Sequence, residues 1–233
     1  KDPKAPVKRD PPIIIRHARR IETWVNRIEG KNDLDRAHTE GNVVIHQDPT
    51  KENERGVDIS GHTVDVQHTT DGNCLYVTGH EQTVGEIHFD KVSIVADDIR
   101  VDQRDNTAKV KGWGSMRLLV ESDMEGKKLD KPTWIDIHWK DAMDLEGPIQ
   151  SVRYEGSVQA KQNNSRVLCE TMQVWLDRPL YLNPSHGKAM PGGKEPPPRD
   201  PRLPTDSDDG TSPKAGKVLC DQQPGDDARP RPK

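Results

Sequence analysis

The chain has 233 residues and a formal net charge of −4, with hydrophobic residues at 30% and charged residues at 32%. The length suits one ordinary domain or two small ones, but so low an apolar share excludes one thick core running through the whole chain. The mildly acidic balance, with both signs interspersed, gives no concentrated basic face for nucleic acid.

The head, Lys1 to Pro12, holds four prolines and four Lys/Arg and reads as a linker. Residues 183–233 hold 11 of the 19 prolines, with Gly192-Gly193, Pro196-Pro197-Pro198 and Asp208-Asp209-Gly210. That stretch lacks the apolar content to offset its ordering entropy and reads as a disordered tail or linker. The fold is therefore expected in residues 13–182. Lys8, Arg9, Arg16, Arg19 and Arg20 form a locally basic cluster that reads as a solvated strand edge rather than a phosphate-binding arm.

Within the fold-bearing part the reading is almost entirely β, beginning with short strands at Ile13–Ile15 and Glu22–Ile28. Five later stretches alternate apolar or small residues with polar ones and then place a glycine in the apolar phase. They are Ala37-His38-Thr39-Glu40-Gly41, Val57-Asp58-Ile59-Ser60-Gly61, Leu75-Tyr76-Val77-Thr78-Gly79, Ala108-Lys109-Val110-Lys111-Gly112 and Val152-Arg153-Tyr154-Glu155-Gly156. Three run on in phase, through Val43 and Ile45, through Gly114, Met116, Leu118 and Val120, and through Val158 and Ala160. Side chains two apart on a strand share a face, so each segment has one apolar and one wet side. A glycine inside a strand marks a bulge, a sharp bend or a close approach. Five at one phase predict a repeated bend and a strongly curved sheet.

Turn signals fall between these segments. Thr70-Asp71-Gly72-Asn73 and Arg104-Asp105-Asn106 supply the left-handed conformations that tight reversals need, and Asn163-Asn164-Ser165 reads as another turn. In Val92 to Val101 the apolar set moves from even to odd positions near Asp97-Asp98, which predicts a bulge that re-aims the strand. Further strands are expected at Trp134–Trp139 and Met172–Leu176, with a loop over Ser122 to Lys131 and no helix required. The repeat glycines are 20, 18, 33 and 44 residues apart. A parallel β-helix keeps a tighter coil length, so the pattern suits an antiparallel roll. Lys217-Val218-Leu219-Cys220-Asp221 echoes Arg166-Val167-Leu168-Cys169-Glu170, by chance or as the start of another unit.

Chemistry-bearing motifs are absent: no nucleophile elbow, phosphate loop or HExxH stands in the sequence. No catalytic residue, metal ligand or cofactor is expected. His38, His46, His62, His68, His80, His88 and His138 are scattered and read as solvated strand or loop residues. Asp97-Asp98 sit on opposite faces of a strand, and Asp206-Ser207-Asp208-Asp209-Gly210 lacks the rest of a calcium loop. Cys74, Cys169 and Cys220 form no CxxC pair; buried or half-buried thiols are expected, with a Cys74–Cys169 bond left open. No apolar run approaches the roughly 20 residues of a membrane helix. The first residue, Lys1, and the proline-rich end read as a piece of a longer protein, so the lack of a signal peptide does not bear on location.

Three blocks carry a family resemblance: Gly41-Asn42-Val43-Val44-Ile45; Ala96-Asp97-Asp98-Ile99-Arg100-Val101-Asp102 with Asn106-Thr107-Ala108-Lys109-Val110-Lys111-Gly112; and Tyr154-Glu155-Gly156-Ser157-Val158. The second resembles the signature strand pair of the OstA-like family, which includes the periplasmic lipopolysaccharide transport protein LptA and the N-terminal domain of the outer-membrane assembly protein LptD. The similarity spans most of residues 22–182. It implies an open, curved antiparallel β-jelly roll (a β-taco) whose groove holds acyl chains and whose units stack end to end. The family has no strict catalytic or ligand motif to carry across. Trp134–Asp141, Gly147-Pro148 and the proline-rich tail depart from a compact single-domain carrier and fit a unit of a larger envelope protein.

Strand phase names the inner face. The groove residues are expected to be Val43, Ile45, Leu75, Val77, Ile94, Ile99, Val101, Val110, Met116, Leu118, Tyr154 and Val158, with Ala37 and Ile59 on the same side. A charged headgroup would stay in water near Lys109, Lys111 or Arg117. The expectation is a non-enzymatic domain of a Gram-negative-type envelope or periplasm. It shelters the acyl part of lipopolysaccharide or a related amphiphile, and docks to like units or envelope transport proteins through edge strands, with no nucleic-acid partner. The alternatives are a structural or adhesive β-module with a closed core, and a polysaccharide-acting enzyme on a right-handed β-helix.

Overall fold

The computed structural model describes residues 12–28, 30–49, 56–69, 72–89, 91–176, 182 and 218–221. Its strands are β1 (Ile13–His17), β2 (Arg20–Ile28), β3 (Lys31–Gln47), β4 (Val57–Thr69), β5 (Gly72–Thr78), β6 (Gly85–Phe89), β7 (Val92–Ala96), β8 (Asp98–Asp102), β9 (Thr107–Lys111), β10 (Gly114–Ser122), β11 (Lys128–Trp139), β12 (Ala142–Glu146), β13 (Ser151–Gln162), β14 (Ser165–Trp175) and β15 (Val218–Asp221). A single 3-10 turn at Gly147–Ile149 is the one helical element among the described residues. The protein is all-β, and its strands join one antiparallel sheet.

The sheet is a meander of bent rungs. β4 pairs through Val57–Ser60 with β6 and through Thr63–Thr69 with β5, so β5 and β6 together form one broken strand running beside β4. The same relation joins β7 to β8, β9 to β10, β11 to β12 and β1 to β2. Each rung passes from one wall of the roll to the other at a corner, and the corners stack into a crease. Backbone bonds continue the ladder across it: Gly79 N–H donates to Asp97 O at 2.7 Å, Gly112 N–H to Asp141 O at 2.7 Å and Lys140 N–H to Gly156 O at 2.8 Å.

The five repeat glycines all fall at these corners, as their common phase predicts. Gly41 (φ +89°) with Asn42 (φ 51°), and Gly156 (φ +83°) with Ser157 (φ 48°), place two left-handed residues opposite one on the neighbouring strand, a bulge that bends the rung. A corner of two extra residues leaves the inner face on the same parity, as from Tyr154 to Val158. A corner of one residue reverses it, and Asp97 is such a corner: β7 ends at Ala96 and β8 begins at Asp98.

Several expectations need correction. Every pairing is antiparallel, so a right-handed parallel β-helix is excluded for the described residues. The loop is shorter than Ser122 to Lys131: β10 runs to Ser122 and β11 starts at Lys128, around a turn in which Asp123 Oδ1 accepts from Lys127 N–H at 2.8 Å. Val218–Asp221, inside the stretch read as a linker, pairs with Thr171–Val174 of β14. Cys74 and Cys169 are both buried and are not bonded to each other; they lie on β5 and β14, strands that are not neighbours. Leu182, the expected limit of the domain, is buried, and its N–H donates to Asn106 Oδ1 at 2.9 Å. Lys8, Arg9, Thr70, Asp71, the Asp206–Gly210 motif and nearly all of the proline-rich head and tail lie outside the described residues.

Candidate functional site

The inner faces of the two walls meet along the crease. On one wall an unbroken cross-strand row reads Ile15, Ile45, Ile59, Ile87, Ile94, Met116, Ile137, Ala160, Val167. The facing wall carries Ile21, Thr39, Val64, Val77, Ile99, Val110, Met143, Tyr154, Met172. Thr39 is the one polar side chain without an apolar ring in either row, and its hydroxyl donates to Val64 O at 2.8 Å. Cross-strand pairs on a shared face are the unit of sheet packing, so each row is a continuous apolar stripe.

The sequence-named groove residues all lie on these inner faces, and all are buried except half-buried Leu75. The walls therefore touch through the middle of the roll: Tyr154 from one wall reaches Met116 Sδ on the other at 3.1 Å. The open groove implied by the family resemblance is closed here. The closure ends at the first rung, where Ile13 (61% exposed), Ile15 (38%), Ile21 (51%) and Val25 (52%) face inward and no further strand among the described residues covers them.

The outer faces are wet and charge-patterned. Lys109 pairs with Asp144 at 3.4 Å, and Arg117 with Asp136 at 2.5 Å while its guanidinium lies over Trp134. The expected headgroup contacts Lys109 and Arg117 thus already hold carboxylate partners on the outside of the roll. A shallow polar depression of about 280 Å³ lies beside Lys109, Asp144, Glu146, Ser151 and Arg153. His38 pairs with Asp65, His88 with Glu86, and His46 with both Asp58 at 2.6 Å and Asp48 at 3.1 Å, while the rings of His62 and His80 lie against each other with centroids 4.9 Å apart. The two carboxylates flanking His46, Asp58 foremost, raise its pKa. No group of three or more His, Cys, Asp or Glu among the described residues is arranged to hold a metal.

One buried ionic cluster escaped sequence reasoning. Asp102, at the end of β8, accepts from Arg104 Nε at 3.0 Å and Nη2 at 2.7 Å, and from Cys74 Sγ at 3.2 Å. The Arg104 guanidinium holds the Asp102 carboxyl well below the usual carboxylate range, while burial first and Asp102 second push the Cys74 thiol up. The cluster pins the β8–β9 turn and leaves Cys74 a thiol rather than a nucleophilic thiolate. Its sequence signal is the Asp-x-Arg spacing in a tight turn. Sequence reasoning also missed Met143, Leu145, Ile135, Ile137, Trp139 and Met172 as inner residues, although their alternation carries them.

In comparison with known proteins, no family model, no curated protein and no solved structure matches this chain. Its class rests on its own architecture: an antiparallel roll of bent rungs with an apolar interior. No helix among the described residues is long and apolar enough to cross a membrane.

Proposed function

We propose that this chain is a non-enzymatic domain of a Gram-negative-type bacterial envelope. It shelters the acyl part of lipopolysaccharide or a related amphiphile between its two walls during transport to, or assembly of, the outer membrane. The observation that carries this reading is the pair of apolar rows spanning nine rungs and, among the described residues, left uncovered at the first, with Ile15 and Ile21 exposed. The sequence resemblance to the OstA-like family points the same way. Each methylene leaving water contributes about 0.8 kcal/mol, so a long acyl chain gains several kcal/mol before ordering costs. With no occupant, the same apolar walls close on each other to leave water. The open first rung and the edges of β1 and β2 also offer pairing sites to like units or envelope transport proteins.

A second reading is favoured by the burial of Tyr154, Ile94 and Ile137, each 0% exposed: a structural or adhesive module whose interior never opens. The chain purified from envelope-containing cells and extracted for mass spectrometry separates the two. Recovery of an acyl lipid, with photocrosslinks from probes at Val110 and Leu118, is the expected result. An extract free of acyl lipid, with no crosslink from either position, leaves the closed module.

A further inference from the structure

The crease of the roll contains one buried hydrogen-bond donor with no partner and a second whose partner is only a thioether. Trp139 ends β11 with its side chain inward and is 3% exposed, and its Nε1 is buried with no hydrogen-bond partner. Its ring fits over Gly114, where an added Cβ would come within 2.4 Å of it. Tyr154, fully buried, lies 5.2 Å from Trp139 centroid to centroid and donates only to the thioether of Met116, a weak acceptor. An unpaired buried donor carries a desolvation penalty, and such groups in folded proteins call for an explanation.

The surroundings are soft. Met143 and Met172 flank Tyr154 in its own row, Met116 faces it from the other wall, and all three are buried. Methionine has an unbranched, polarizable side chain that repacks around irregular shapes at low cost. No other part of the described interior brings three methionines together; the remaining rows are built mostly of stiffer β-branched residues. Adaptable packing thus coincides at one place with an unpaired donor, Trp139 Nε1, and a weakly paired one, Tyr154 Oη.

We infer that this crease is where the sheltered chain sits, and that it selects an acyl chain bearing an oxygen acceptor (a hydroxyl, or an ester or amide carbonyl) that takes hydrogen bonds from Trp139 Nε1 and Tyr154 Oη. The inference rests on the lipid-sheltering reading and adds the chemical class of its ligand. The methionines move aside, the methylenes fill their place, and the oxygen meets the two donors. No covalent step is involved.

The test measures binding of tetradecanoic acid and of hydroxytetradecanoic acids substituted at successive positions, below their micelle concentrations, by displacement of a fluorescent fatty acid. The whole chain is used, alongside Trp139→Phe and Tyr154→Phe, which keep the ring and remove the donor. The expected result is that hydroxylation at one region of the chain tightens binding about tenfold, the scale of one buried hydrogen bond, and that this preference, taken as the ratio of the two affinities within each protein, falls toward unity in either variant. Equal binding of plain and hydroxylated chains by the unaltered protein, a comparison that needs no variant to fold, overturns the inference and leaves the lipid-sheltering reading standing. So does a preference that survives in both variants. Binding of neither class overturns that reading and this inference with it.

Discussion

The first rung and the middle rungs of the roll carry the same pattern and meet different fates. Ile21 at the start and Ile99 in the middle lie in one cross-strand row, yet Ile21 is 51% exposed and Ile99 0%. Ile15 and Ile94 differ in the same way on the other wall, at 38% and 0%. Alternation decides which side of a strand turns inward. Burial then requires a neighbour on each flank and a facing wall, and among the described residues the first rung has a partner, β3, on one flank only. An apolar residue facing inward at an end is therefore available, whereas the same residue two rungs further in is structural.

Truncation is the strongest way to break this contrast. Ile94→Ala should cost about 3 kcal/mol, the usual range for a buried isoleucine being about 2–5, whereas Ile21→Ala should stay within about 0.5 kcal/mol. Urea denaturation of both variants checks it, and equal losses would erase the distinction between end and middle. The corners give a second contrast. Gly156→Ala forces a left-handed alanine (φ +83°) against Asp141, whose Oδ2 would lie 2.3 Å from the new Cβ, while Gly112→Ala meets the same φ with open space around it. The first should cost about 2–3 kcal/mol and the second about 1, read as a difference in thermal midpoint between the two proteins.

The buried Asp102 cluster sharpens the comparison through pH. Its folded pKa is depressed, so its contribution is present above the ordinary carboxylate range near pH 4 and is lost as pH falls through the folded value. Asp102→Asn should lower stability at pH 7 by about 2 kcal/mol and flatten the acid limb of the stability curve; an unchanged acid limb would exclude the cluster as its source. The smallest effect belongs to the surface. The folded pKa of His46 is raised, so its stabilisation is present below about pH 6.5 and fades as pH rises through the folded value. His46→Gln should remove that fading between mildly acidic and mildly alkaline pH, seen as a flatter profile than that of the unaltered protein.

Much of this was legible in the sequence. The glycine intervals of 20, 18, 33 and 44 look irregular as a repeat. On the structure they are one, one, two and two rungs, because the corners at Asp97 and at Lys140-Asp141 turn without a glycine. The parity change at Asp97-Asp98, which as a sequence signal promises only a bulge, is the passage from one wall to the other. The residues named by phase lie inward because phase is a local property of the strand, while Ile135, Ile137, Trp139, Met143, Leu145 and Met172 carry the same alternation and went unnamed. Closure of the groove was not legible: alternation says which way a side chain points, not how far away the opposite wall stands. Trp139 and Tyr154 as a donor pair were hidden for a related reason, since β11 and the first half of β13 lie on different walls and come together only at the crease. β15 was hidden by composition, because four residues of strand inside a proline-rich stretch do not alter its average.

Because each rung bonds only to the rungs before and after it, the roll behaves as a tape with a constant cross-section. Two consecutive rungs return the chain to the wall and direction from which it set out, so a hairpin could be copied in or cut out without redesigning the layers on either side. Length, and with it the size of guest that fits, then becomes the quantity easiest for evolution or an engineer to adjust.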